Sequence, residues 1–482
     1  MRIETDYDRI MDEYKKCVNY NLLNDYYEKS QQHEDFYLGY QWQGVYAPDL
    51  DKPVLNFIRR VAAFLTAMVA SRDISVFVSP FVHTEENIKR ADILNLELQQ
   101  VIENSKLKSR AYTAVLDGVV NGDGFLYWYY DGGVKNQILK GANVLFANPY
   151  SADIQSQPFI LFERREYLEN VIEKAKANGQ ETKDFKADEN YMRSTECMPM
   201  VTVVTKLYKQ DDNVWYTEVT KNGVVTPPEK MGYNYYPLAK FTWDRKKNSC
   251  HGMGAVENLI PNQIAVNKLW AMALLHQKTM AFPKIFYDKT KLESWTNRVG
   301  AAIGVIGNPN DAVATSFRAN DMSNQLMEIV EKTIAFTKEF MGANDTSLGN
   351  VSPDNTSAIL AVQRAATIPL ENQKQFYNQF IEDCVIIIID IISKRYGERF
   401  IETDEGRSEK LIFSEIDIKD YSWTIQTEDS TPWTEGIQMQ ILENLYTKQI
   451  LTDAYDYVQA IPATQLKNKQ QILKKLEEAK IR

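Results

Sequence analysis

The sequence predicts an α+β fold, largely helical, and three observations carry that prediction. Long stretches repeat apolar residues at spacings of three and four, which places them on one helix face. The tract from about 122 to 240 instead reads as short strands between turn signals such as Asp131-Gly132-Gly133 and Asn222-Gly223. Helical periodicity then returns after Trp243-Asp244-Arg245. Strands in one block with helices on either side fit α+β better than alternating βαβ units.

Taken in order, residues 1–40 place Tyr14, Leu22, Leu23, Tyr26 and Tyr27 at helical spacing, and FYLGYQW, ending at Trp42, turns out of that helix. PVLNFIRRVAAFLTAMVASR, from Pro53, reads as a buried helix. A second helix over about 85–121 carries Leu94, Leu98, Val101, Leu107, Ala111 and Leu116 on one side. Gly122-Asp123-Gly124 breaks it, and FLYWYYDGGVKNQIL reads as a strand pair. Further strands are expected at 160–164, 201–209 and 214–220, while 168–198 reads as a surface helix and a polar excursion.

Beyond the strands, a helix follows Pro261 without interruption over 262–281, 20 residues or roughly 30 Å. A mixed segment comes next: KIFYD is strand-like, KLESWTNRV helix-like. Asp321 is the expected N-cap of a helix reaching Met341, with Met322, Leu326, Ile329, Val330, Ile334 and Phe340 on one stripe. GANDTSLGNVSPDNTS has the composition of an exposed loop. The next helix is expected to span 357–396, 40 residues or roughly 60 Å, with a kink at Pro369 and Gly397 as its C-terminal stop. Strand-like acidic segments fill 398–430, and a helical tail runs from Thr434 with Leu442, Leu445, Ile450, Leu466, Ile472 and Leu476.

Composition limits the chemistry. The chain has 482 residues, 44% hydrophobic and 25% charged, which excludes disordered and fibrous classes. Lys and Arg number 55 against 65 Asp and Glu, a net charge of -10, and a protein gripping phosphates over a broad basic face would be the reverse. Cys17, Cys197, Cys250 and Cys384 are scattered without a C-x-x-C pair, so neither a disulfide framework nor a zinc cluster is expected, and a reducing compartment is. MRIETDYDRIMDEYKK lacks the apolar core of a signal peptide, and the apolar run 384–389 is cut by Asp390 well short of a membrane span. No membrane association is expected.

There is no G-x-x-x-x-G-K-[ST] phosphate loop, and Val120-Asn121-Gly122-Asp123-Gly124 lacks the later glycine of a dinucleotide fingerprint. His33, His83, His251 and His276 show no metal-ligand spacing, and the adjacent Cys250-His251 reads as a turn. Asp404, Glu405, Asp417 and Asp420 read as a solvated acidic face. No catalytic residue, cofactor or metal is expected. The alternative reading is an intracellular nucleic-acid-processing enzyme that uses an unrecognised carboxylate pair.

Several segments are collinear with a known pattern. FYLGYQW followed by Pro53-Val54-Leu55-Asn56, then NGDGFLYWYYD, NPYSADI, FERREY, DRKKNSCHGMGAVENLIPNQIAVNKLWAMAL and AFPKIFYD, together resemble the portal proteins of tailed double-stranded DNA bacteriophages, especially the long-tailed type. The tract 170–200 has no counterpart in that pattern. The resemblance implies a twelve-subunit ring around a DNA channel, a virion protein of the capsid vertex that assembles in the host cytoplasm. It would serve DNA packaging, ejection and head-tail connection, and it would not be an enzyme. The regions implied are an N-terminal wing at 1–240, a first stem helix at 241–281, a clip at 282–320 and a second stem helix at 321–342. A tunnel loop at 343–356, a long kinked tunnel helix at 357–397, wing strands at 398–433 and a C-terminal crown at 434–482 complete them. Implied partners are further copies of the chain, double-stranded DNA read without sequence specificity, the terminase large subunit, a head-completion adaptor, and the major capsid and scaffolding proteins.

Site residues follow from this frame. The tunnel loop would present Asn344, Asp345, Leu348, Asn350 and Asp354 to DNA, and Tyr287, Trp295 and Phe317 would anchor partners on the clip. On the second stem helix, Asn324, Glu328, Glu331, Lys338 and Glu339 cluster opposite the apolar stripe with Lys332 at the edge, so this face is expected to line the channel. Glu328 and Lys332 stand four apart and are expected to pair.

Overall fold

The computed structural model describes residues 6–70, 73–188, 198–281, 284–292, 325–342, 368–402, 408–413, 421–428 and 442–448, with short pieces between 296 and 317 and single positions from 454 to 472. The elements begin with α1 (Tyr7–Leu23), α2 (Tyr26–Leu38), α3 (Phe57–Ala70), β1 (Asp73–Pro80), α4 (Glu85–Asn104) and α5 (Leu107–Asn121). The central tract holds β2 (Asp123–Tyr130), β3 (Val134–Leu139), β4 (Val144–Phe146), β5 (Phe159–Tyr167), α6 (Leu168–Ala177), β6 (Met200–Gln210), β7 (Asn213–Thr220), β8 (Gly223–Lys230) and β9 (Leu238–Thr242). After it come α7 (Ala255–Ala281), β10 (Lys284–Tyr287), β11 (Ala314–Phe317), α8 (Gln325–Phe340), α9 (Glu371–Arg395), β12 (Glu398–Glu402), β13 (Ser408–Ile412) and β14 (Tyr421–Glu428). The mixture is α+β, as the sequence predicts. Two compact units result, and they do not follow chain order: one takes 1–70, 109–398 and 412–415, the other 71–108, 399–411 and 416–482.

In the first unit an antiparallel sheet of order β4-β5-β6-β7-β8 is covered on both faces. Ile10 of α1 packs with Leu145, Leu161, Val204 and Val219 on one side, and Tyr14 donates to Glu163 at 2.8 Å. On the other side α6 sets Val171 and Ala175 against Val201, Val203 and Val225. Val203 and Val204 are neighbours in sequence and face opposite ways, as the two-residue period of a strand requires. The β6–β7 connection is Asp211-Asp212, both with positive φ (52° and 57°), the two-residue hairpin geometry in which a short acidic side chain tolerates the left-handed region. Pro227 and Pro228 lie in β8, at the sheet edge, where a missing N–H costs least.

A second sheet of the same unit, order β3-β2-β9, carries α9 on it. The apolar run that stops at Asp390 lies in the part of this helix that is buried nearly all round. Cys384, Val385 and Ile388 are fully buried, and Phe380 meets Phe241 edge-on with centroids 6.1 Å apart. Asp390, itself 1% exposed, accepts the backbone N–H groups of Asn234 (2.7 Å) and Tyr235 (3.0 Å), so a charge inside an apolar helix secures the chain before β9. Gly397 takes a φ of 63° just beyond the helix, the expected stop. The described helix starts at Glu371, and Pro369 sits in the 3₁₀ turn Ile368–Leu370 before it. Proline fits this turn at the start of a helix, and the expected kink there depends on the residues before it. Residues 357–367 lie outside the described residues.

The second unit pairs β1 with β14 antiparallel over Asp73–Pro80 and Tyr421–Glu428, with α4 packed on β1. Asn95 of α4 accepts from the Val78 N–H (2.7 Å) and donates to its carbonyl (3.0 Å), so one amide side chain plays the part of a neighbouring strand. Sequence reading placed no strand at 73–80. It also ran one helix through 85–121, whereas Lys106, with φ 54°, separates α4 from α5.

Candidate stem and channel face

The entry to α7 is built by two loops whose backbones touch. A Cβ on Gly122 would stand 2.6 Å from the Gly252 carbonyl oxygen, and one on Gly254 would stand 2.5 Å from that of Val120, so only glycine fits at either place. Asp123 lies between them, with its side chain fully buried. Its carboxylate accepts from the Gly252 N–H (3.1 Å) and Thr242 Oγ1 (3.1 Å), contacts His251 Nδ1 at 3.1 Å, and pairs with Lys240 at 3.2 Å. Burial opposes its charge, but Lys240, His251 and the Gly252 amide outweigh that and hold the carboxyl down at about 2. Cys250 faces the opposite balance: burial pushes its thiol up to about 12, so it is an inert side chain of the turn that sequence reading expected.

Two amides of α7 then lock it to the N-terminal segments. Gln263 donates to the Leu55 carbonyl (2.8 Å) and to Asn267 Oδ1 (3.0 Å), and Asn267 donates to Gln41 Oε1 (2.6 Å). Gln41 belongs to FYLGYQW, and Leu55 to Pro53-Val54-Leu55-Asn56. Trp42 closes the same loop by donating to the Pro53 carbonyl at 2.8 Å. The helix itself begins at Ala255 and runs unbroken through Pro261, so its continuous part extends beyond the 262–281 expected. Burial of Val256, Leu259 and Ile260 around the proline offsets the one backbone hydrogen bond it removes.

On α7 rests α8. Val330 and Thr337 are buried beneath it, and Asn262 donates to Thr337 Oγ1 at 3.0 Å, so the start of α7 meets the end of α8 and the pair runs antiparallel. The predicted polar face is open: Glu328, Glu331, Lys332 and Glu339 are exposed, and Lys338 is half-buried. Glu328 and Lys332 pair at 3.7 Å, as their spacing predicts. The predicted apolar stripe is only partly covered. Ile329 is 52% and Phe340 86% exposed, and Phe336, which sequence reading did not single out, is 55% exposed. At 100° per residue these three fall within about 40° of one another, beside the buried face and apart from it.

A profile of the phage P22-like portal protein family matches residues 159–435, more than half of the chain. The chain belongs to that family. No curated protein matches it. Portal membership carries self-assembly, association with the capsid vertex of a virion, and a structural rather than enzymatic role.

Other predicted portal positions fare unevenly. Between α7 and α8 the hairpin β10–β11 pairs Lys284 with Phe317 and Tyr287 with Ala314. Tyr287 is half-buried, while the neighbouring Phe286, which the sequence reading passed over, is 60% exposed. Trp295, the Phe317 side chain, Asn324 and Asp321 lie outside the described residues, as do Asn344, Asp345, Leu348, Asn350 and Asp354. Among the described residues no group of three His, Cys, Asp or Glu side chains is placed to hold a metal, and no helix is long and apolar enough to cross a membrane.

Proposed function

We propose that the chain forms a closed ring, twelve copies around a conduit for double-stranded DNA, through which a phage genome is packaged and later ejected. The observation that carries this reading is the apolar flank of α8. Ile329, Phe336 and Phe340 form a patch that their own unit leaves uncovered, while Met272 (57% exposed) and Leu275 (40%) open a second apolar face on α7. A cyclic ring needs two unlike faces per subunit that fit each other, and exposed apolar patches of this kind mark interaction surfaces.

In this reading α7 and α8 are the stem, and the charged face of α8 lines the channel. Glu328, Glu331 and Glu339 against Lys332 and Lys338 leave one net negative charge per subunit. Repeated around a ring, that wall repels phosphate mildly, and the lysines offer contacts that salt screens. The hairpin β10–β11 is the clip, where the terminase large subunit and then a head-completion adaptor dock, with Phe286 added to Tyr287, Trp295 and Phe317 as anchors. Residues 343–356 are the tunnel loop, 398–433 return to the wing and 434–482 form the crown. Major capsid and scaffolding proteins contact the outer surface.

Replacing Glu328 and Glu331 by Lys tests the channel assignment. Rings should assemble normally, and in-vitro packaging should slow at least several-fold, most severely at low ionic strength. Unchanged packaging at every salt concentration would place this face outside the channel.

A further inference from the structure

Apart from the stem faces, α2 separates two surfaces of unlike charge. On one side a groove of about 570 Å³ lies along α2 and the turn after it, with Glu28 and Asp35 in its wall beside the rings of Tyr27, Phe36 and Tyr40. No Lys, Arg or His lines it. Asp35 accepts from the neutral amide of Gln31 at 3.0 Å, and neither carboxylate has an ion-pair partner among the described residues.

On the other side, Tyr26, Lys29, Ser30 and His33 face the loop that enters α7. At 100° per residue the two sets of α2 residues point roughly 160° apart. The loop carries Arg245-Lys246-Lys247, all exposed. Arg245 is held over the Phe376 ring at 4.4 Å, and Lys246 approaches Glu257 at 3.5 Å. Lys247 and Lys29 have no counter-charge among the described residues. Asn248 takes a φ of 53°, so the chain turns directly after Lys247.

We propose that the groove on α2 of one subunit receives the Arg245-Lys246-Lys247 loop and Lys29 of the next copy, a charged head-to-tail contact that rests on the ring reading and adds to the apolar contact of the stem. The groove has the chemistry of a site for an ammonium or guanidinium: its carboxylates form charge-assisted hydrogen bonds, and its ring faces attract a cation. Tyr40 is already 60% exposed and open to such a contact. Head-to-tail closure needs two unlike, complementary faces turned away from each other, and α2 has one on each side. A basic loop can also meet nucleic acid. Here, however, three basic residues stand beside Asp244 and near Glu257 in a chain of net charge -10, a spot rather than the broad basic face that phosphates require.

A charge swap on the full chain tests the contact. One variant carries Glu28→Lys and Asp35→Lys, the other Lys29→Glu and Lys247→Glu. Each alone sets like charges against each other at every interface, and its ring yield in native mass spectrometry should fall at least about ten-fold at low salt. Mixed in equal amounts the two should form rings again, because alternation pairs each reversed groove with a reversed loop. Failure of the mixture to recover would overturn the proposal. Wild-type rings are the control: their absence would refute the ring reading and this contact with it, whereas rings from the wild type and from both variants alike would refute the contact alone. Variants that assemble as wild type but retain DNA less tightly would assign the loop to nucleic acid and overturn the contact between copies. Should either swap fail to fold, the neutral set Glu28→Gln, Asp35→Asn, Lys29→Gln and Lys247→Gln decides. Wild-type assembly should weaken between about 0.05 and about 0.5 M salt and that of the neutral set should not, so an identical salt response counts against the contact.

Discussion

Replacing Phe336 and Phe340 together by Asp is expected to abolish assembly of the proposed ring and to leave the subunit folded. The two residues are 55% and 86% exposed in their own subunit, so neither change removes core packing, and surface substitutions of this kind usually alter stability by less than about 0.5 kcal/mol. In the proposed ring the same residues would be buried against a neighbour. A carboxylate there must be desolvated with no partner, at a cost of several kcal/mol for each charge, and the closed symmetry repeats that cost at every interface. Sedimentation velocity should show a folded monomer with an unchanged urea midpoint. Assembly at the wild-type yield would remove α8 from the interface.

The largest effect on the subunit itself is expected at Asp123. Asp123→Asn keeps the shape of the side chain but leaves Lys240, whose side chain is 6% exposed, without its counter-charge, and it replaces one of the two carboxylate oxygens that accept from the Gly252 N–H by a donor NH2. Breaking a buried pair from one side costs about 3–5 kcal/mol, which urea denaturation would read as a large drop in midpoint at unchanged slope. Adding Lys240→Met should recover part of the loss, since the stranded charge goes with it. The wild-type carboxyl also sets an acid limit. Its folded value of about 2 lies below the ordinary unfolded value near 3.9, so its contribution of about 2–3 kcal/mol is complete above about pH 4 and is lost as pH falls through 2. The Asn variant should lack that part of the acid transition. A variant as stable as wild type at pH 7 would mean that the loops entering α7 are held without this cluster.

Much of the fold is legible because local signals agree with their surroundings. The strand pair across Asp131-Gly132-Gly133 forms as read, and Val134 pairs with Tyr130. What escapes the sequence is long-range. β1 pairs with β14 about 350 positions away, a partnership that no local period encodes, and on α4 the side chain of Asn95 hydrogen-bonds the backbone of Val78. Asp390 looks like the end of an apolar run, yet it serves the backbone of Asn234 and Tyr235 from across the core. The glycines of NGDG and CHGMG are visible as turns, but their contact with one another is visible only in three dimensions. Pro261 shows the reverse error, where a local breaker yields to burial on either side.

The candidate stem illustrates a different limit. Periodicity marks Ile329 and Phe340 as apolar-face residues alongside Val330, but it says nothing about which neighbour covers them. In the subunit Val330 is 3% exposed and Phe340 86%. The charged face is legible because it lies opposite that stripe, and the Glu328–Lys332 pair because the two residues stand four apart on a helix.

Native mass spectrometry of the purified full chain, with negative-stain imaging of the same sample, decides whether the subunits close into a ring. Closed rings of twelve with a central hole are expected under capsid-assembly conditions. A protein that stays monomeric in those conditions, and in virions, would contradict it.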